Sequence, residues 1–299
     1  MSFASKPLPA PKLAEASFYN NDNKICVLTD EALFAACGLR IAFTERIGGT
    51  SAAPYVSLNL GDHVKDELAC VEENRLRLMR AMGVCGEDEA KLVVPNQVHG
   101  DVVLSVGDDV AATYAKVREG ADGIVCTRGG VPVLLCFADC VPVVCVAPDG
   151  SFAVLHAGWR GAIADIAGQG LARLAHEAGF EPAQCNAYIG PHIGACCYET
   201  SQEILDRFVE RYGSVCDAGA RHLDLGAAVR ASLVEAGARS ERICDSMSCT
   251  SCNNDRFFSY RADGGVTGRH AAFAYRRGGR ETLIKGDACR TRLAKPLVT

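Results

Sequence analysis

The sequence predicts a single α+β domain in which mixed sheets are flanked by helices. Three observations lead there: near-continuous apolar runs of strand length, amphipathic helical stretches with their own start and stop signals, and no internal repeat or linker in 299 residues. A strand run with little polar alternation is covered on both faces, so the sheets should be sandwiched between other layers. A chain of this length buries ample core as one domain.

The strand-like runs are Ile25–Leu28, Arg40–Thr44, Leu92–Val94, Val102–Val106, Val131–Cys136, Val141–Val146 and Phe152–His156. Ala187–Gly190, Arg242–Cys244 and Phe257–Tyr260 follow, and a further strand precedes the turn at Gly129-Gly130-Val131-Pro132. Helix Val64–Met82 places Leu68, Val71, Leu78, Met79 and Met82 on one stripe, with Asp62 as cap and Gly83 as stop. Gly161–Ala178 turns Ile163, Ile166, Leu171 and Leu174 inward and stops at Gly179. Residues 201–212 follow a Thr200-x-x-Glu203 capping box and bury Ile204, Leu205, Phe208 and Val209. Leu225–Ala236 repeats that logic and ends at Gly237. Met1 to Lys12 is Pro- and Ala-rich without a secretory apolar core, so a disordered tail is expected over residues 1–20 and the folded domain over 21–299.

A net charge of −5 argues against a nucleic-acid or anionic-membrane surface. The longest apolar run, Val141 to Val146, is too short to cross a bilayer. A cytoplasmic protein is expected, so the sixteen cysteines should be reduced, and most should pack as small hydrophobes, as Cys136 and Cys145 do among Val and Leu.

Three stretches carry metal-ligand chemistry: Gln97-Val98-His99-Gly100, Ala138-Asp139-Cys140, and Leu155-His156-Ala157-Gly158-Trp159-Arg160. Two imidazoles and a thiolate can hold one zinc ion and leave its fourth tetrahedral position open, the pattern of a catalytic metal. Each residue has a plainer reading: Cys140 as a buried thiol, His156 as a core histidine, His99 as a polar turn residue. His192, Cys196-Cys197 and Cys249-x-x-Cys252 compete as ligands. A lone CxxC without a matching pair is a weak finger signal. Arg160 follows a strand that ends in small residues and opens a helix, a place suited to an anion.

Together these stretches resemble the laccase-domain or multicopper polyphenol oxidase family, also called peptidoglycan editing factors. The resembling residues include Thr44-Glu-Arg46-Ile-Gly48-Gly49-Thr50-Ser51, Ser57-Leu-Asn59-Leu-Gly61, Glu73-Asn74-Arg75, Gln97-Val98-His99-Gly100 and Ala121-Asp122-Gly123. They continue through Ala138-Asp139-Cys140-Val141-Pro142, His156-Ala157-Gly158-Trp159-Arg160-Gly161, Ile189-Gly190-Pro191, Tyr198-Glu199, Cys249-Thr250, Phe258-Ser259-Tyr260-Arg261 and Thr267-Gly268-Arg269. In order, they span about residue 40 to 275.

The resemblance implies one zinc held by His99, Cys140 and His156, and a four-layer α/β/β/α sandwich. It implies phosphorolysis of adenosine or inosine to base and ribose 1-phosphate, with methylthioadenosine cleavage and adenosine deamination as side activities. It also implies a cytoplasmic role in removing wrongly charged cell-wall precursors. Small nucleosides and phosphate are the expected partners, for a monomer or homodimer. In such a site Asp139 would move protons for a zinc-activated water in deamination. Arg46, in a Gly-rich turn, and Arg160 would anchor phosphate, with Gln97 as a further substrate- or phosphate-binding candidate.

Three rivals are set against this. A copper polyphenol oxidase fits poorly, because seven histidines without a His-x-His pair cannot build a multicopper set, although a single copper suits the same ligands. A thiol hydrolase would use Cys140 as nucleophile, for instance on cell-wall precursors. A non-enzymatic scaffold would need a fourth protein ligand, such as His192 or Cys249.

Overall fold

Alternation within the strand runs sends successive side chains to two different cores, and that alternation sets the layer order. The computed structural model describes residues 7–20, 23–107 and 110–278. The first half contains β1 (Ala14–Asn20), β2 (Asn23–Thr29), α1 (Glu31–Cys37), β3 (Leu39–Thr44), α2 (Leu68–Ala81), β4 (Val103–Ser105) and α3 (Val110–Glu119). Next come β5 (Gly123–Cys126), β6 (Val133–Phe137), β7 (Val141–Val146), β8 (Phe152–Ala157), α4 (Trp159–Ile163) and α5 (Ile166–Ala178). The chain continues through β9 (Asn186–Ile189), α6 (Gln202–Tyr212), α7 (Leu225–Glu235), β10 (Ile243–Asp245) and β11 (His270–Arg276).

One sheet runs β1-β2-β3-β11-β6 and is antiparallel throughout. The other runs β10-β9-β7-β8-β5-β4, with parallel pairs at both edges. In β3, Ile41 and Phe43 face the core between the sheets while Ala42 faces away; in β6, Val133, Leu135 and Phe137 face in while Leu134 and Cys136 face out. The outward set packs on Leu78, Met79 and Met82 at the end of α2. On the second sheet, Val144, Val146, Phe152 and Val154 fill the inter-sheet core, and Val141, Val143, Cys145 and Leu155 turn toward α5, α6 and α7. The four expected layers are therefore present, and two-sided burial explains the strands' unbroken apolar runs.

Several expected elements change on folding. The tail expected through residue 20 is structured from Ala14, where β1 pairs along the whole of β2, and Leu8 is buried; residues 1–6 and 279–299 lie outside the described residues. Leu92–Val94 makes only a bridge, Val93 to Val133, and Phe257–Tyr260 is a turn that buries Phe257 and Phe258. Gly161–Ala178 divides into α4 and α5 because Asp165 takes φ 67°, a left-handed conformation that ends one helix before the next begins. Helix α2 starts at Leu68, and Asp62 instead pairs with Arg75 at 3.2 Å. The cap of α6 is Ser201, whose hydroxyl accepts from the Ile204 amide, one residue beyond the expected box.

The buried Asn74 of α2 organises the Gly-rich segment that follows β3. Its carbonyl oxygen accepts from the Thr50 amide at 2.8 Å, and its amide donates to the Ser51 hydroxyl and to the Ser57 and Asn59 carbonyls. Among the described residues, no helix is long and apolar enough to cross a membrane.

Candidate metal centre and its cavity

Strand parity delivers the first ligand. In β8, Phe152 and Val154 face the inter-sheet core, so His156 two residues on emerges at the end of that layer, with its ring centroid 5.2 Å from that of Phe137. Strand β7 pairs antiparallel with β8, matching Pro142 to His156, which sets the β6–β7 turn beside the imidazole. Cys140 lies in that turn, after Asp139 at φ 89°. His99 comes from the loop before β4, at φ 59°, and its ring stands edge-on to His156 at 4.8 Å. The ligand atoms of His99, Cys140 and His156 all lie within 4.8 Å of one another. The three residues chosen from sequence converge.

The residue whose role was missed is Asp122, fully buried just before β5. Its Oδ1 lies 2.7 Å from His156 Nδ1 and accepts from the His99 amide at 3.0 Å. Oδ2 accepts from the Gly100 amide at 2.7 Å and the Val98 amide at 3.2 Å. One carboxylate thus folds the His99 loop and holds the His156 proton on Nδ1, leaving Nε2 to act as a ligand. Its sequence signals were an acid lodged between two small residues, Ala121 and Gly123, ahead of a buried strand, and its place in one of the stretches that carry the family resemblance.

The donor set fits a soft or borderline divalent metal. Gly158 clears the space beside it: a Cβ there would lie 3.2 Å from Cys140 Sγ and 3.2 Å from the His99 ring. Burial opposes ionisation of Cys140, but the charges and hydrogen bonds of His156 and His99 outweigh it and pull the thiol to about 6. Burial also opposes the His156 cation, yet Cys140 and Asp122 raise it to about 9. Asp122, despite its burial, is held below the usual carboxylate range by His156 and the loop amides.

The metal-free pair near neutral pH is therefore thiolate and imidazolium, and a metal must displace the His156 proton. Uptake at pH ~7.5 should release about one proton. Affinity should climb about tenfold per pH unit between the two values and more steeply below the lower one, where the thiol is also protonated. Calorimetric metal titrations in buffers of different ionisation enthalpy measure this; proton-neutral uptake would contradict the pairing.

The triad opens into a cavity of about 510 Å³, within the roughly 300–1,000 Å³ range of small-molecule sites. Its walls include the aromatic residues Trp159, Tyr198 and Tyr260, and the cationic residues Arg160, Arg261 and Arg269. His63 and Gln97 also line it. Arg160 is exposed, with its guanidinium 4.4 Å from the Trp159 ring. Arg261 donates to the Cys197 and Glu199 carbonyls, and Arg269 to the Thr267 and Gly268 carbonyls.

Other expected site residues fare differently. Arg46 is not among the cavity's lining residues: its guanidinium donates to the carbonyls of Val56 and Asn254 and stacks on Phe258, clamping loops together. Arg261 and Arg269 line the cavity instead. Gln97 lines the cavity, but both ends of its amide are satisfied by the Cys136 backbone at 2.8 and 2.7 Å. Asp139 reaches the wall with both oxygens occupied, Oδ1 by the Thr250 hydroxyl and Oδ2 by the Arg261 amide, each at 2.7 Å. These bonds hold a left-handed non-glycine residue in place and leave it poorly suited to move protons. His192 meets the Gly190 carbonyl through Nδ1 and, among the described residues, belongs to neither group of potential ligands, and Cys249 and Cys252 gather elsewhere with Cys196 and Cys197.

Comparison with known proteins adds four findings. Residues 40–277 match the family model described as multi-copper polyphenol oxidoreductase laccase. A purine nucleoside phosphorylase named YlmD from Geobacillus stearothermophilus is 36% identical over 252 residues, covering 80% of this chain and 91% of that protein. An adenosine deaminase named RL5 from an unknown prokaryotic organism is 34% identical over 235 residues, 75% of this chain and 88% of its own. Among solved structures, hypothetical protein YfiH of Bacillus licheniformis superposes with a TM-score of 0.77 at 30% identity, over 87% of this chain and 99% of that one.

Proposed function

The chain belongs to the multi-copper polyphenol oxidoreductase laccase family, and from that premise we propose that it is a zinc-dependent purine nucleoside phosphorylase. Adenosine or inosine and phosphate would be its substrates, with adenosine deamination as a second activity of the same site. The observation that carries the reading is the cavity: a three-ligand metal centre at its floor, flat aromatic walls and three arginines around one space. The names of the relatives favour both activities.

Trp159, Tyr198 and Tyr260 are the aromatic lining against which a purine would pack. Arg160, Arg261 and Arg269 offer planar N–H forks for a phosphate anion, which must sit under the ribose C1′ while positive charge grows on the sugar. Attack of a phosphate oxygen on C1′ forms the new C–O bond as the C1′–N9 bond breaks and its electron pair leaves with the base. Arg269 is half-enclosed, so its attraction for an anion is screened less than that of a fully exposed arginine. His99, Cys140 and His156 would hold the zinc, which when bound would supply Lewis acidity to the cavity. Asp139 positions Thr250 and Arg261 at the wall.

The test is to incubate metal-loaded protein with adenosine, with and without phosphate, and identify the products. Ribose 1-phosphate and adenine, formed only with phosphate, support phosphorolysis; inosine and ammonia support the deaminase reading; turnover of neither overturns both. Phenol oxidation by zinc-loaded, copper-free protein would return the site to an oxidase.

A further inference from the structure

The parallel pair β9–β10 sends two loops off the same end of the second sheet, and four thiols meet between them. Residues 190–198 follow β9 and carry Cys196 and Cys197; residues 246–261 follow β10 and carry Cys249 and Cys252. Backbone pairing continues past the strands: the His192 amide donates to the Ser248 carbonyl at 3.1 Å and the Thr250 amide to the His192 carbonyl at 2.9 Å. All four sulfurs fall within 4.8 Å of one another. We propose that Cys196, Cys197, Cys249 and Cys252 form a second metal site, a closed four-sulfur zinc centre that staples the two loops walling the cavity.

Distances, exposure and hydrogen bonding support this. Cys252 Sγ lies 3.5 Å from Cys196 Sγ and 3.4 Å from Cys197 Sγ. That is far beyond a disulfide bond of about 2.05 Å. It is near the edge of a tetrahedron around a metal with sulfur at about 2.3 Å, an edge of about 3.8 Å. Cys196 and Cys252 are exposed, so these thiols are not core hydrophobes like Cys136 and Cys145. Cys249 Sγ accepts from the Gly194 amide at 3.2 Å and the Cys252 amide at 3.5 Å, the backbone donation that steadies a thiolate ligand. Gly194 gives that approach room, since a Cβ there would lie 3.2 Å from Cys249 Cβ and 3.3 Å from Cys196 Sγ, tighter than an ordinary contact.

Four protein ligands leave no vacant position, so the centre is structural rather than catalytic. Its effect is on the wall. Ile193 and Tyr198 come from one loop, Tyr260 and Arg261 from the other, and all four line the cavity. Arg261 already ties the loops through the Cys197 carbonyl, and Thr250 reaches Asp139. Metal binding, with loss of the thiol protons, would lock that arrangement.

The experiment counts zinc in the full chain, purified under reductant without added metal, by elemental analysis and native mass spectrometry. Wild type should hold two zinc ions. The His99→Ala, Cys140→Ala double variant should hold one, and the Cys249→Ser, Cys252→Ser double variant one. Cobalt loaded into the first variant should show the intense thiolate charge-transfer bands of a four-sulfur site, reduced to about a quarter in the second, whose remaining centre has the single thiolate of Cys140. X-ray absorption at the zinc edge of wild type should report a sulfur-dominated shell, a readout that needs no variant to fold. Zinc-free His99→Ala, Cys140→Ala protein, a nitrogen-rich wild-type shell, or a disulfide joining Cys252 to Cys196 or Cys197 in anaerobically isolated protein would each overturn the proposal. None of these readouts depends on the nucleoside chemistry.

Discussion

Replacing Cys140 with serine is expected to strip the metal from the triad and to lower nucleoside turnover at least about 1,000-fold, a loss of about 4 kcal/mol of transition-state stabilisation. The thiolate is the one anionic donor among the three ligands, and its low ionisation point keeps it ready for metal at neutral pH. A serine hydroxyl at that place stays protonated and is a poor ligand, so two imidazoles remain. The measurement pairs kcat/KM with the triad's zinc count. Metal-free serine variant with wild-type turnover would refute the metal reading. The thiol-hydrolase rival makes a different forecast: alkylation of wild type would abolish activity while chelators would not.

Asp122→Asn should have the largest effect on stability, a loss of about 3–5 kcal/mol, with metal affinity weakened about 10- to 100-fold. The carboxylate, itself fully buried, accepts from the buried His156 Nδ1 and from the amides of Val98, His99 and Gly100. An asparagine presents one oxygen and one NH₂ group to this ring of donors, so at least one donor meets another and is left unpaired. His156 also loses the partner that keeps its proton on Nδ1. Denaturation of metal-free and metal-loaded protein separates the two consequences. An unchanged midpoint without metal would show that the carboxylate does not hold the His99 loop.

Much of the architecture was legible because two-sided burial writes itself into a strand. Val141–Val146 was read to the residue, since every side chain in it is buried on one face or the other. Strand β11 escaped notice because His270-Ala-Ala-Phe-Ala-Tyr-Arg276 is rich in alanine, a helix former, and only its place between β3 and β6 makes it a strand. Strand β1 is an edge with several exposed residues, so it lacks the apolar run that marked the others. At the site, the ligands were readable from residue type and surroundings. The cationic wall was not, because Arg46 and Arg269 both follow or precede Gly-rich segments and both donate to carbonyls, and only the folded path decides which of them lines the cavity. Asp139 illustrates the same limit: its neighbour is a ligand, but its own oxygens are consumed by Thr250 and Arg261.

The central seat of β11 bears on how the chain is made. Every member of the triad and Asp122 have been synthesised by residue 156, yet the antiparallel sheet stays split between β3 and β6 until residues 270–276 emerge from the ribosome. A nascent chain can thus own all its metal ligands while the floor on which Phe137 and His156 rest is still missing a middle plank. Premature termination anywhere before that strand would leave two unmatched sheet edges and an exposed apolar seam, a product for proteases rather than a weakened enzyme.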